Sequence, residues 1–378
     1  MPSENPTVPP DGTTFHTLQM RLRQKHIPAL DGIRTLAVFA VILYHFGFEK
    51  APGGHGVMLF FVLSGFLITW LLLGENDRTG TVSLRAFYAR RALRILPAFY
   101  FYCITMLVLL LVTNKLVPWG NAVAAFFFVS NYYIGLSHHP ANAFSHTWSL
   151  SIEEQFYLLW PALFLFFRNN TARLMRVLVA LIVAAWFYRI MLCIGVGASP
   201  SYIYAAFETR CDHLLVGCLT AVLLRRGTCR SFWEKATSHA VMPLFTLSLL
   251  FCSINFGGLV VTNYRETIGF ALDPFLFALL LVQWVALSDH PLWFWLNSRP
   301  MRYLGRISYP LYLYQQVTLY PVRQKFHAQP VWLQLGIAVI VTVGLASLSF
   351  YCIERPFLRW KRRFQTDAPP PLTGAGAF

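Results

Sequence analysis

Long apolar runs dominate this sequence and limit what it can fold into. Runs of about 18 to 22 residues recur from Ala29 to Ile353, and about 20 apolar residues are enough for a helix to cross a bilayer. Only 12% of the residues are charged, whereas soluble domains carry about 25%. Ten spans would use roughly 200 of the 378 residues, which leaves no room for a soluble catalytic domain. We therefore predict an all-α, polytopic membrane bundle of about ten transmembrane helices.

Short loops separate the predicted spans. The spans lie near residues 29–48, 55–73, 95–113, 148–167, 177–196, 203–224, 238–256, 267–287, 304–322 and 331–353. The aromatic-rich run at 121–136 is a candidate for an eleventh span, but counting it would move the basic cluster Arg168–Arg176 to the outer face. Since cytoplasmic loops carry the excess of Lys and Arg, we interpret 121–136 as a short or re-entrant segment.

The formal net charge of +15 agrees with this topology. Basic residues cluster between the apolar runs, as the positive-inside rule predicts, rather than on one soluble face as nucleic-acid binding requires. We therefore expect no nucleic-acid partner, a position in the inner (plasma) membrane, and both termini in the cytoplasm. The predicted divisions are a cytoplasmic tail at 1–27, a membrane domain at 28–358, and a basic, then disordered tail at 359–378.

The first predicted span carries two ionisable residues, Arg34 and His45. They lie 11 residues apart, which at 100° per residue places them on one helix face about 16 Å apart. Ionisable groups inside a span are costly and indicate function. Histidine is suited to take a proton from a hydroxyl near neutral pH. His45 is therefore a candidate base, and the alternative is a helix-end histidine bonded to lipid headgroups or a loop.

The next two segments each allow two interpretations. In the second span, Ser64-Gly65 favours close helix packing, and Ser64 is also a candidate nucleophile if a histidine lies near it. In the following loop, Arg91 and Arg94 are three residues apart and therefore adjacent on a helix. Two adjacent guanidinium groups bind a phosphate well, although basic residues are expected at a cytoplasmic face in any case.

Further polar groups occupy later spans. Glu153 and Glu154 open the fourth span, where one could orient a histidine or carry a proton while the other pairs with an arginine. A purely structural pairing is the alternative. Arg210 and Asp212 could pair at the border of the same cavity, which would lower the cost of burying either charge. Tyr309 is either an interfacial aromatic or a donor on the cavity wall, and no residue cluster suggests a metal site.

Seven segments taken together resemble one known family. They are LDGIRTLAVFAVILYH (Leu30–His45), VMLFFVLSGFLIT (Val57–Thr69), FYARRALRILP (Phe87–Pro97), TWSLSIEEQFYLLWP (Thr147–Pro161), RCDHLLVG (Arg210–Gly217), ISYPLYLY (Ile307–Tyr314) and ERPF (Glu354–Phe357). Their order resembles that of the acyltransferase 3 family, integral-membrane enzymes that O-acylate bacterial surface sugars. The resemblance covers about residues 28–358, and the spacing of Arg34 and His45 is among its most specific parts.

The resemblance implies transfer of an acyl group, acetyl by default, from acyl-coenzyme A to a hydroxyl of a carbohydrate or glycoconjugate acceptor. Acyl-CoA is then a donor substrate, and no bound cofactor is expected. On that template His45 is the catalytic base, Arg34 lines the route of the donor, and Glu153 supports the reaction centre. The residues expected to bind substrate are Arg91, Arg94, Ser64, Glu154, Arg210, Asp212 and Tyr309.

The chain departs from the family pattern at Gln315, where many members have a histidine, so acceptor chemistry is expected to differ here. Some members also carry an esterase-like C-terminal domain, and we expect any onward transfer in this case to use a separate partner protein. Two other functions stay open on the sequence. One is a transporter that moves a small anion or lipid through the same cavity, and the other is acylation of a cytoplasmic small-molecule glycoside.

Overall fold

The computed structural model describes residues 14–24, 26–137 and 141–360, and these ranges form helices and connecting turns with no strand. The N-terminal half contains α1 (Thr14–Arg23), α2 (Pro28–Phe46), α3 (Gly53–Thr79), α4 (Leu84–Val112), α5 (Trp119–Phe126), α6 (Ser130–Leu136) and α7 (Thr147–Phe167). The C-terminal half contains α8 (Thr171–Ile190), α9 (Pro200–Ala205), α10 (Cys211–Arg226), α11 (Arg230–Ala236), α12 (Met242–Val260), α13 (Phe270–Leu287), α14 (Arg299–Arg306), α15 (Ser308–Lys325), α16 (Val331–Ser349) and α17 (Arg355–Trp360). The predicted all-α class is confirmed.

Seven candidate spans are long and apolar enough to cross a membrane within the described residues. They are α2, α3, α4, α8 with the π-helical turn Met191–Val196, α12, α13 with the π-helical turn Arg265–Gly269, and the continuous stretch Val331–Trp360. A multi-pass membrane protein is therefore supported, while the count of about ten stays a prediction. The other predicted spans fall on α7, α10 and α15, which carry polar side chains such as Glu153, Asp212 and Gln315 into the bundle.

Two predicted segments can be compared in detail with the structure, one of which differs from it and one of which agrees. The run at 203–224 was expected to be one span, but α9 ends at Ala205 and α10 begins only at Cys211. The aromatic-rich run at 121–136 forms α5 and α6, of 8 and 7 residues. Since about 17 residues are needed to cross the hydrocarbon core, neither helix can span the membrane, in agreement with a short segment.

The centre of the bundle is the close contact between α3 and α10. A Cβ atom on Gly65 would overlap the carbonyl oxygen of Leu214, and one on Gly217 would overlap that of Val62. Small residues allow helix backbones to approach in a bilayer, where no hydrophobic force holds helices together. The packing role expected for Gly65 is therefore present in the structure, and it determines which way the neighbouring side chains of α3 point.

The predicted N-terminal tail contains an element that the sequence did not reveal. Helix α1 buries Leu18 and Leu22 against the bundle, and the indole of Trp70 donates a 2.9 Å hydrogen bond to the Leu22 carbonyl. At least this part of the tail is folded onto the membrane domain. Residues 1–13 and 361–378, which include most of the predicted C-terminal tail, lie outside the described residues.

Candidate functional site

A cavity of about 720 Å³ opens at one end of the bundle, bounded by the α1–α2 junction, α3 and α4. Its walls carry seven arginines: Arg23, Arg34, Arg78, Arg90, Arg91, Arg94 and Arg225. Two carboxylates, Asp31 and Glu75, also line it. Positive charge therefore exceeds negative charge in this cavity, as a polyanionic ligand requires. Below, this space is called the arginine cavity.

The two carboxylates of the arginine cavity already have cationic partners. Arg90 contacts Glu75 at 2.8 Å, and Arg34 contacts Asp31 at 3.2 Å. By contrast, neither Arg91 nor Arg94 forms an ion pair within the described ranges. Arg91 instead packs its guanidinium over two aromatic rings. These two arginines are therefore available for an anionic ligand, in the geometry that suits a phosphate.

A second, narrower space of about 100 Å³ lies deeper in the bundle and is called the inner chamber below. Four residues line both spaces, namely Arg34, Leu67, Arg91 and Arg94. The inner chamber thus adjoins the arginine cavity at its cationic end. Its other polar lining residues are Ser64, Ser149, Glu153, Glu154, Tyr157, Ser308, Tyr309 and Tyr312.

Ser64 and Glu153 meet across the inner chamber. The Ser64 hydroxyl on α3 donates a 2.7 Å hydrogen bond to Oε1 of Glu153 on α7. Gly65, the next residue of α3, is packed against the backbone of α10. Successive residues of a helix point about 100° apart, so Ser64 is turned away from that contact. A hydroxyl and a carboxylate at this distance are a possible nucleophile and base.

The other predicted residues of this region also line the chamber. Glu154 does so with no hydrogen bond or ion pair to another side chain within the described residues. The Tyr309 hydroxyl donates to the carbonyl of Ile95 on α4 at 3.2 Å, which fixes the phenol in the wall. Tyr312 shares a 2.6 Å hydrogen bond with Ser149. Of the two interpretations of Tyr309, the structure therefore shows a cavity-wall residue.

His45 lies apart from these groups, at the opposite end of α2 from Arg34. It is exposed and lines neither cavity. Its Nδ1 is 3.1 Å from Oε1 of Gln315 on α15. With the amide oxygen of Gln315 facing the ring, neutral His45 would donate from Nδ1 and keep a lone pair on Nε2. Gln315 is three residues from Tyr312, so α15 connects the inner chamber to His45 over about one helical turn.

The predicted Arg210–Asp212 pair is wrong. Asp212 is bound by Arg189 of α8, with Nη1–Oδ1 at 3.1 Å and Nη2–Oδ2 at 2.8 Å. Residues two apart on a helix do not face each other, so Arg210 cannot reach the same carboxylate. Arg210 is buried over the ring of Phe270 at 4.0 Å, and none of its nitrogens has a hydrogen-bond partner in the described part of the chain. Neither Arg210 nor Asp212 lines the two cavities.

Sequence reasoning missed three residues of the polar framework. Asp31 holds Arg34 and also accepts a 2.8 Å hydrogen bond from His26. Its position three residues before Arg34 on one helix was the available signal. Arg189 lies within the predicted span 177–196 and was assigned no role, and Gln315 was noted only as a departure from the family. Within the described residues, no group of three or more His, Cys, Asp or Glu side chains is placed to hold a metal ion.

Comparisons with known proteins agree on one family. A family model described as "Acyltransferase domain" matches residues 27–351. The peptidoglycan O-acetyltransferase OatA of Listeria monocytogenes is 32% identical over 89% of this chain and 56% of the relative. The O-acetyltransferase OatA of Staphylococcus aureus is 31% identical over 92% of this chain and 59% of the relative. The chain therefore spans a little over half the length of these relatives, and no solved structure matches it.

Proposed function

The chain belongs to the acyltransferase family that this domain defines, and from that premise we propose that it is a membrane O-acetyltransferase. The acetyl donor is acetyl-coenzyme A, which binds in the arginine cavity as a substrate. The acceptor is a hydroxyl of a carbohydrate polymer of the peptidoglycan kind, the substrate named for the Listeria relative. The single observation that carries the proposal is that the arginine cavity and the inner chamber share a wall that includes Arg34, Arg91 and Arg94.

The arginine cavity has the size and charge for such a donor. Binding sites for small molecules and cofactors are typically about 300 to 1,000 Å³, and this cavity has about 720 Å³. Arg91 and Arg94 lack carboxylate partners in the described ranges and would hold phosphate groups of the donor. Arg34, fixed by Asp31, lies where the cavity meets the inner chamber. The thioester end of the donor then enters the chamber.

The acceptor approaches from the other end of the bundle, where His45 is exposed. With Nδ1 bonded to Gln315, the Nε2 lone pair of His45 takes the proton of the attacking hydroxyl. The basic arginine cavity faces the cytoplasm, as the positive-inside rule requires. With the ten spans predicted from the sequence, both chain termini would then lie in the cytoplasm of a cell whose inner (plasma) membrane holds the protein. A separate partner protein is the natural recipient if the acetyl group is passed on.

Purified protein in nanodiscs tests the proposal. Wild type is given labelled acetyl-CoA and soluble peptidoglycan fragments, and release of coenzyme A and label on the fragments are measured. We expect acceptor-dependent release, reduced about 100-fold or more in His45→Ala, since general bases contribute about 10² to 10⁴. His327→Ala is the matched control, because His327 contacts only the backbone carbonyl of Gln324 through its side chain.

The two alternatives give different results when the same substrates are supplied to proteoliposomes, whose membrane separates two compartments. Transport of a small anion or lipid without cleavage of the thioester would replace the acetyltransferase proposal. If a small glycoside supplied on the donor side is acetylated and the peptidoglycan fragments are not, the protein is still an acetyltransferase, but its acceptor is the small glycoside.

A further inference from the structure

We propose that Ser64 is a covalent carrier of the acyl group, with Glu153 as its base. The inference rests on the proposed function and deepens it, because it divides the transfer into two half reactions. In the first, the donor thioester acylates Ser64 in the inner chamber. In the second, the acceptor hydroxyl takes the acyl group from Ser64.

The geometry of the pair is that of an activated nucleophile. The Ser64 Oγ and Glu153 Oε1 atoms are 2.7 Å apart, within the 2.6 to 3.2 Å range that proton transfer from a nucleophile to its base requires. Both side chains line the inner chamber and are only partly buried, so a ligand in the chamber can reach them. A hydrogen bond that merely satisfied a buried carboxylate would not need access to a cavity.

The chamber also supplies charge for the reaction. Arg34, Arg91 and Arg94 line the chamber as well as the arginine cavity. Cationic groups near a thioester stabilise the negative charge that develops on its oxygen during attack. Ser64 is held in place because Gly65 leaves no space between α3 and α10 for the helix to rotate. Such fixed positioning is what an efficient nucleophile needs.

The position of His45 is the reason why we divide the transfer into two half reactions. Arg34 lines the inner chamber, and His45 is about 16 Å further along the same helix. Because His45 lines neither cavity, it is not placed to take the proton of Ser64 directly. Ser64 and Glu153 occupy the chamber, whereas His45 occupies the acceptor end. Separate bases for separate half reactions follow from this arrangement.

The atoms and protons balance. Ser64 Oγ bonds to the thioester carbonyl carbon, its proton passes to Glu153, and the carbon–sulfur bond breaks. Coenzyme A leaves as a thiolate toward the arginine cavity and takes a proton from water. In the second half reaction the acceptor oxygen bonds to the acyl carbon, and its proton is relayed through water to His45, which then releases it to the solvent. The bond from the acyl carbon to Ser64 then breaks, and Glu153 returns the stored proton to Ser64.

Acid-quenched labelling without acceptor tests this inference. Wild-type protein in nanodiscs is mixed with labelled acetyl-CoA, and both free coenzyme A and protein-bound acetyl are followed. We expect a burst approaching one coenzyme A per chain, with the label mapped by mass spectrometry to the peptide that contains Ser64. Ser64→Ala should lose the bound label, and His45→Ala should keep it.

Controls separate chemistry from folding. Ser151 is a buried serine of α7 that bonds to Ser130 and lines neither cavity, so Ser151→Ala should keep the label. Ser64→Cys restores a nucleophile of similar size and should regain bound acetyl as a thioester. Acceptor-dependent turnover with no burst, or a label on a residue other than Ser64, would overturn the carrier role while leaving the proposed function intact. No cleavage of acetyl-CoA with any acceptor would overturn the proposed function itself.

Discussion

Two carboxylates inside the bundle have different surroundings. Asp212 is held by two hydrogen bonds from Arg189, and the side chains of this pair are 3% and 0% exposed. Glu153 has no arginine within ion-pair distance in the described residues, accepts a hydrogen bond from Ser64, and faces the inner chamber. In the pair of Asp212 and Arg189 the two charges neutralise each other, and both side chains are shielded from solvent. The second pair is accessible and can exchange a proton.

This difference shows that a buried charge is not by itself evidence of chemistry. Ionisable residues in membrane spans suggest function by default, and both carboxylates lie in segments that the sequence predicts as spans. The two carboxylates differ in their partner residue and in whether a ligand can reach them. Arg189 and Asp212 bind α8 to α10, whereas Ser64 and Glu153 face a chamber that adjoins the arginine cavity.

The largest effect on activity is expected for Glu153→Gln. The amide keeps the shape of the carboxylate but cannot take the proton of Ser64, so transfer should fall about 10² to 10⁴-fold. Coenzyme A release from acetyl-CoA measures this, with the amount of folded protein in the membrane as the control. Activity close to wild type would mean that Glu153 is as structural as Asp212.

For Arg189→Gln the expected effect is on stability. Removing one partner of a buried ion pair typically costs about 3 to 5 kcal/mol, because Asp212 would be left as an uncompensated charge. This loss of stability is measured by thermal unfolding in detergent and by the yield of membrane-inserted protein. Arg176→Gln is the matched control, since Arg176 is an exposed residue of the same helix. An equally stable Arg189→Gln protein would show that this pair does not join α8 to α10.

A smaller loss of stability is expected for Gly65→Ala. The added Cβ would overlap the Leu214 carbonyl oxygen and force α3 and α10 apart, and overpacking of this kind costs about 1 to 3 kcal/mol. Gly344→Ala on α16 is the control, because a Cβ there meets nothing within 4 Å. Thermal unfolding should separate the two variants, and identical stabilities would argue against the tight α3–α10 contact.

The smallest effect is expected for Gln315→Ala. Gln315 positions His45 through the 3.1 Å contact with Nδ1, and loss of one hydrogen bond worth about 1.4 kcal/mol corresponds to about tenfold in rate. The loss should appear in transfer to the acceptor and not in acetyl labelling of the protein. Gln324→Ala changes an exposed glutamine of the same helix and should leave both unchanged. Reduced labelling in Gln315→Ala would place His45 in the first half reaction.

Much of this architecture was predictable from short-range patterns. Apolar runs predicted the helices. The inner chamber is lined by the motif residues Arg34, Ser64, Arg91, Arg94, Glu153, Glu154 and Tyr309, of which Arg34, Arg91 and Arg94 also line the arginine cavity. The partner of Asp212 was not predictable, because Arg189 is distant in sequence and its contact depends on how α8 packs against α10. Helix α1 was missed because its three buried apolar residues, Phe15, Leu18 and Leu22, lie within an otherwise polar tail.

The central claim is that donor and acceptor meet the bundle from opposite ends, and proteoliposomes test it most directly. Labelled acetyl-CoA is supplied on one face, and soluble peptidoglycan fragments are enclosed on the other. Because Arg34 and His45 lie about 16 Å apart along α2, we predict that the enclosed fragments become labelled by wild type and not by His45→Ala. Labelling only when both substrates share one face would contradict the account.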